Sequence, residues 1–491
     1  MNKKIFLFSL AFSILLPTIK IFYFSNQNVY LFQAYILNNP NILQNDWLST
    51  TKDGNYIFSQ FTFFLMKINE YLPKFINKVF EVLFFYFLLK IIFNNEEKNN
   101  LILISIILIL SIIAYYLGIG FSGIKNQHIL GEVYQPSIFN VFFVTSIYFF
   151  LRKNFYLSIF FLAIPPLFHP SIIPTAIVLG FIYTLLTIRK DLKKTVFFLL
   201  LGILLISPSI FFAFKSQLST PEDLKNAHDI LANFRVPHHS DISFLGKRDI
   251  VSFLILIFGS LLCNDKNLKL ILILGLIYIL ISLFLVSFLQ SNTIKLMFLH
   301  RINVVLIPIA YLILIKETYK FLNNKINLSI KIEKFKKLSY LFFCFIITIL
   351  FLISLNININ NNNKFVEKSK LVGTFTNNKN IWLVQSIKSL KPDIISQLRL
   401  NFSQPLFVDF KTHPSHPKDI IQWKKRIDLV DSFFNSKSSE EFGYNLNEIL
   451  KISRIDFILF SKSHMNIIKC KNQKKFVDNY ILVDINNCDF E

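Results

Sequence analysis

The run LKLILILGLIYILISLFLVSFL, residues 268–289, decides the fold class: twenty-two residues with one charge, Lys269, near its start. An α-helix needs about 20 mostly apolar residues to cross roughly 30 Å of hydrocarbon. Comparable runs recur along the chain at roughly 5–24, 75–93, 100–117, 137–151, 155–168, 171–188, 195–214, 250–263, 302–316 and 339–355, giving eleven candidate spans. The pair within 137–168 is short, which suits broken or re-entrant helices. The start, MNKKIFLFSLAFSILLP, has the charged opening and apolar run of a signal peptide. No small-x-small cleavage site follows it, so it reads as an uncleaved first span.

Composition agrees. The chain has 491 residues, 53% of them hydrophobic and 57 of them Phe, with a mean hydropathy of +0.49. The net charge of +22 reads as a membrane-orientation bias combined with the drift toward Lys, Asn, Ile and Phe that A+T-rich coding produces. No basic, aromatic-studded soluble module supports nucleic-acid binding.

The lysines orient the spans. With a cytoplasmic start, the cytoplasmic connections carry Lys3 and Lys4, Lys98, Arg152 and Lys153, Arg189 to Lys194, Lys266 and Lys269, and seven lysines within 316–338. Each is short and basic, as the positive-inside rule requires. The connections 25–74, 118–136, 215–249 and 290–301, and the corner at Phe168–Ser171, then face outward. An odd number of spans also places the C-terminal segment outside. All nine histidines fall on that side.

Residues 356–379 form an Asn/Lys-rich linker, and the pattern changes beyond it. NIWLVQS (380–386), PLFVDF (405–410), RIDFILF (454–460), NIIKC (466–470) and NYILVDI (479–485) read as short strands. In KDIIQWKKRIDLVDSFF, Ile420, Trp423, Ile427, Val430 and Phe434 share a helical stripe, with Lys424, Lys425 and Arg426 assigned to the opposite face. Residues 380–491 are thus expected to form a small α/β domain after a membrane domain covering 1–355. The last two strands would bring Cys470 and Cys488 together, as a disulfide or as two thiols.

The outward connections hold the candidate chemistry. Asp46, in QNDW, either acts as a general base or caps a short helix starting at Trp47. The segment FTFFLMKI after it suits an interfacial amphipathic helix. His128 and Glu132, four apart in GIKNQHILGEVYQPS, would share a face of a helix, although Gly131 argues against one. His169 sits at a proline-bracketed break, LAIPPLFHPSIIP, either as a functional ionisable group or as part of a plain hinge.

In RVPHHSD, Pro237 is expected to hold the preceding residue extended. His238 and His239 should then point to opposite sides, and Arg235 stands beside them. A metal clamp is disfavoured by that spacing. His300 and Arg301 open a late span. Arg301 suits a lipid phosphate, which guanidinium binds bidentately, or simply snorkels to the interface. No DxD or ExD pair is present, so neither a metal nor a cofactor is expected.

Taken together, QNDW, the FHP break, RxPHH, the HRIN start of a late span and PLFVDFKTHP followed by IIQWKKRI resemble the GT-C superfamily of membrane glycosyltransferases, most closely an uncharacterised bacterial branch. The resemblance covers nearly the whole chain through short motifs. It implies a polytopic protein of the inner (plasma) membrane acting in cell-envelope glycan assembly. A polyprenyl-phosphate-linked sugar would be the donor, and a glycan or protein the acceptor. Asp46 would be the catalytic base, while His128, Glu132, His169, Arg235, His238, His239, His300 and Arg301 would bind substrate. Two competitors remain from the residues themselves: a transporter or flippase for a lipid-linked or anionic solute, and a non-catalytic scaffold of the same fold.

Overall fold

The computed structural model describes residues 2–16, 27–93, 101–131, 134–188, 192–326, 380–384, 398–461, 469–471, 474–475 and 480–489. The protein is mainly helical. Its chain divides into two compact units, Met1–Thr18 with Pro73–Ala213 and Val236–Ile357, and Ile19–Leu72 with Phe214–Arg235 and Asn358–Glu491.

Among the described residues four helices are long and apolar enough to cross a membrane: Pro170–Thr187, Thr195–Ser216, Lys266–Leu289 and Asn292–Asn323. The candidate span at 339–355 and the linker 356–379 lie outside the described residues. The short pair is as compact as its sequence suggests. Val141–Leu151 and Phe155–Phe168 have 11 and 14 residues, and at about 1.5 Å per residue neither alone covers the hydrocarbon thickness. They pack on each other and are pinned by hydroxyls. The Ser146 hydroxyl donates to the Ser158 carbonyl at 2.8 Å, and Ser146 and Tyr183 hydroxyls lie 3.1 Å apart.

Small residues allow closer crossings. A Cβ at Gly259, in the helix Lys247–Leu262, would lie 2.6 Å from the Cβ of Ala310 on Asn303–Ile326. Backbones approach at that contact as small residues permit in membrane helix pairs. On the helix Leu192–Ser216 a row of large apolar side chains, including Phe197, Leu200, Ile203 and Leu204, is exposed. Lipid is the solvent such a face suits.

The second unit joins the tail to two earlier stretches of chain. Its main sheet runs β1 (Trp382–Val384), β2 (Phe457–Ser461), β5 (Tyr480–Asp484), β4 (Lys474–Lys475), with β1 parallel to β2 and the other pairs antiparallel. A parallel pair requires a long crossover, and the helices Pro417–Phe434 and Ser439–Leu450 lie in the intervening sequence.

Side chains alternate across the strands. Leu383, Ile458, Phe460 and Val483 join Trp423, Ile427, Val430, Phe433 and Phe442 in one core, while Trp382, Val384, Leu459 and Leu482 join Leu398 and Leu406 in another. Both faces of the sheet are therefore covered. β3 (Lys469–Cys470) pairs with β6 (Cys488–Asp489), setting Cys470 opposite Cys488. Cys488 is disulfide-bonded.

Two expectations for the tail are corrected. PLFVDF is not a strand; apart from a single bridge between Leu406 and Trp382, its polar groups are used by side chains. Asp46 accepts from the Leu406 N–H, Trp423 donates to the Asp409 carbonyl and Arg426 donates to the Phe407 carbonyl. Arg426 is also not on the outer face. Three residues beyond Trp423, it falls on the buried stripe and lies over Trp47 and Phe407, 4.8 and 4.6 Å from their ring centroids.

Trp423 fills the core of this unit and donates from Nε1 to the Asp409 carbonyl at 2.9 Å. Trp423→Ala should destabilise the unit by about 3–5 kcal/mol. Denaturant unfolding of the purified full chain, followed by the fluorescence of Trp47 and Trp382 in the same unit, measures this.

Candidate functional site

Asp46 and Arg235 belong to the second unit, whereas His128, His169, His238, His239, His300 and Arg301 belong to the first. The division passes through RVPHHSD itself, between Arg235 and Val236.

Asp46 is built into the interior. It ends an extended residue and caps the short helix Trp47–Thr50 by accepting from the Leu48 N–H at 3.0 Å. Its other oxygen accepts from Arg399 Nε at 2.7 Å and from the Leu406 N–H at 2.9 Å. Arg399 also bonds Asp409, whose second oxygen accepts from the Thr412 N–H at 2.7 Å. The side chains of Asp46, Arg399 and Asp409 are 0%, 3% and 2% exposed. Burial works against the guanidinium charge, but the two carboxylates outweigh it and hold the Arg399 pKa above its ordinary value.

A carboxylate with three donors and no exposed face is a structural link, and the capping alternative describes its geometry. A solvent-reachable base would need at least one oxygen directed at an open space.

Arg235 completes this unit's cationic interior. Its Nη2 donates to the Lys411 carbonyl at 2.8 Å, and the guanidinium lies over Phe410 at 5.2 Å. His413 Nδ1–H donates to the Pro414 carbonyl at 2.9 Å. Burial, reinforced by the Arg235 charge, pushes the His413 pKa down to about 4.

In the first unit, helix ends and loops bring a different group together. The break at His169 forms as the sequence suggests: the helix ends at Phe168, and Pro170 starts a short 3-10 turn. The Ser171 hydroxyl contacts the His169 ring at 3.1 Å and accepts from Arg301 Nη1. Arg301 also lies over Phe298, 4.1 Å from its ring centroid.

The loop at 123–127 meets the same region. Gly123 approaches Asn303 so closely that a Cβ would overlap its side chain, and Asn303 Oδ1 accepts from the Ile124 N–H at 2.8 Å. Lys125 follows with φ +61°. Its N–H donates to Asp249 Oδ1 at 2.6 Å, and its carbonyl lies 3.1 Å from His239 Nδ1.

His238 and His239 do not diverge. Pro237 begins a helical turn, Pro237–Ser240, a position where its fixed φ and missing N–H suit a helix start. The two rings consequently lie 4.0 Å apart. The loop alternative describes the segment at His128: residues 127–131 are not helical, His128 is exposed and bridged to Ser122, and Glu132 lies outside the described residues.

The sequence reading missed Lys125, Arg399 and Asp409, and placed Arg426 on the wrong face of its helix. Lys125 stands in the same loop as His128, three residues before it, and a lone loop lysine carries no signal in the sequence. Among the described residues no group of three His, Cys, Asp or Glu is placed to hold a metal. The sequence matches no protein-family model and no curated protein.

Two predictions follow from the second unit. Asp46→Asn and Arg399→Met each strand a buried charge, so either should lower stability by about 3–5 kcal/mol; the measurement is folded yield and melting temperature beside any activity. A purely catalytic Asp46 would instead lose activity with unchanged melting.

The pH dependence has a definite sign. His413 titrates lower in the folded chain than in the unfolded one, where its pKa is about 6.5. The unfolded chain therefore binds more protons between those values, and stability falls as pH drops from about 6.5 toward 4. The loss is complete once pH falls below about 4. His413→Gln should flatten that part of the profile in thermal melts.

Proposed function

We propose that this protein is a GT-C-type polytopic membrane protein with about eleven spans, a cytoplasmic N-terminus and an extracytoplasmic tail. In this reading it binds a polyprenyl-phosphate-linked sugar at the outer face of a bacterial plasma membrane and transfers the sugar to a glycan or protein acceptor. The observation that carries the reading is the convergence of Lys125, His239, His300, Arg301, Ser171 and His169 at the loop-bearing helix ends of the membrane unit. Cationic donors fixed at helix ends suit a phosphate, and a departing phosphate is where charge grows during glycosyl transfer. Because phosphate is already a good leaving group, an acid like that of a glycosidase pair is not required. The disulfide at Cys488 suits an oxidising, extracytoplasmic compartment for the tail.

A second reading has its own observation. The engaged carboxylate of Asp46 supports a non-catalytic member of the same fold, one that binds the lipid-linked sugar and presents it to partners.

Membranes containing the protein, given a labelled polyprenyl-phosphate sugar, separate the readings. Release of polyprenyl phosphate only when acceptor is present is expected for the transferase. Donor binding without release would favour the scaffold, and movement of donor across proteoliposomes without acceptor would favour a transporter. Arg301→Met should weaken donor binding at least about tenfold, the scale of a lost charge-assisted bond, and an unchanged affinity would remove Arg301 from the site.

A further inference from the structure

The interior around the Gly123–Gln127 loop contains polar atoms that no described residue engages. Among the described residues, Lys125 Nζ, both amide atoms of Gln127 and His300 Nε2 are buried and have no hydrogen-bond partner. Lys125 and His300 are only 4% and 2% exposed. Native interiors rarely leave such groups unpaired, and an unpaired ammonium is the most unfavourable kind.

The described carboxylates nearby do not supply a partner. Asp249 spends its two oxygens on the N–H groups of Lys125 and Gly246. Asp241 accepts from the Ser243 N–H at 2.9 Å in its own turn. Both attract the Lys125 ammonium only through space, and Lys295 repels it. Arg301 adds a further cation beside His300, and His239 stands on the other side of the Lys125 carbonyl.

We infer that Lys125 Nζ, His300 Nε2–H and the Arg301 guanidinium hold one phosphate-class oxyanion inside the membrane unit, with Lys125 as its buried charged ligand. That the anion belongs to a lipid rests on the reading above; the anion site itself does not.

The backbone of Lys125 does the local structural work, through the bonds to Asp249 and His239, while its side chain makes none among the described residues. A left-handed residue other than Gly is itself unfavourable, so the fold maintains a strained turn that ends in an unused ammonium. Without a ligand, burial pushes the Lys125 pKa down to about 8, against the attraction of Asp241 and Asp249. A bound dianion restores the charge. Phosphate monoesters have lost their second proton well below that pH, so any decline in affinity above pH 8 reports the lysine.

The experiment uses the purified full chain in detergent, with farnesyl phosphate, inorganic phosphate and uncharged farnesol as probes, and Lys125→Met and Lys125→Arg as variants. Calorimetric titration should show farnesyl phosphate binding at least tenfold more weakly to Lys125→Met, with Lys125→Arg within a few-fold of the parent and farnesol indifferent to both. Parent affinity should fall between pH 8 and pH 10 while that of Lys125→Arg stays level. In the absence of phosphate, Lys125→Met should melt at the same or a higher temperature, which a structural lysine would not allow.

Equal affinity in Lys125→Met, or the same pH profile for parent and Lys125→Arg, overturns the assignment. If Lys125→Met does not fold, the parent and Lys125→Arg pH profiles decide alone. Lys125-dependent binding of inorganic phosphate without farnesyl phosphate keeps the anion site and removes the lipid. Failure of the parent to bind either phosphate removes the site, and the donor-release assay then judges the transferase reading separately.

Discussion

The second unit depends on one guanidinium placed where water cannot reach it. Arg399 bonds Asp46, 353 residues earlier, and Asp409, 10 residues later. Removing charges from water is strongly unfavourable unless their geometry and remaining hydrogen bonds are satisfied. Here both carboxylates receive backbone N–H groups as well. The arrangement therefore dictates where the segment around Asp46 must dock within its own unit. Trp47, directly after Asp46, packs against the core and lies under Arg426. A network of this kind contributes little net stability compared with a well-packed apolar core, but a wrong arrangement strands charges, which gives it selectivity.

Membrane character was legible because it is a property of long runs. A 24-residue apolar helix such as Lys266–Leu289 needs no knowledge of its partners to be recognised. The helix Pro417–Phe434 was legible for a related reason, since its buried stripe has helical period. Arg426 belonged to that same stripe and was set aside because of its charge, although its spacing from Trp423 pointed inward. PLFVDF resembled a strand because extended backbone and apolar composition do not reveal where N–H and C=O groups find partners. Those partners lay on Asp46, Trp423 and Arg426, distant in sequence.

The candidate site was legible by composition and illegible by grouping. The loop histidines and Arg301 could be picked out, yet nothing local in RVPHHSD says that Arg235 and Val236 belong to different compact units. The histidine pair was misjudged because proline was read only as a constraint on its predecessor. At the first position of a helix it also favours the turn that follows, and that turn brings the two rings together. Lys125 escaped notice because a single lysine in a loop is ordinary. What distinguishes it is the left-handed backbone and the burial of its amine, and neither leaves a mark in composition.

The assembly of the second unit from three separated stretches has a consequence for biosynthesis. Asp46 emerges early, and its partner Arg399 is synthesised 353 residues later. At roughly 5–20 residues per second, that interval is about 20–70 s. Throughout it Trp47 and the helix Tyr56–Ile68 are already made and still lack the tail residues of their compact unit. The early segment must therefore be kept from aggregating, by the membrane surface or by a chaperone, until the last part of the chain arrives. Translation order, as much as the final packing, is a condition this sequence has to satisfy.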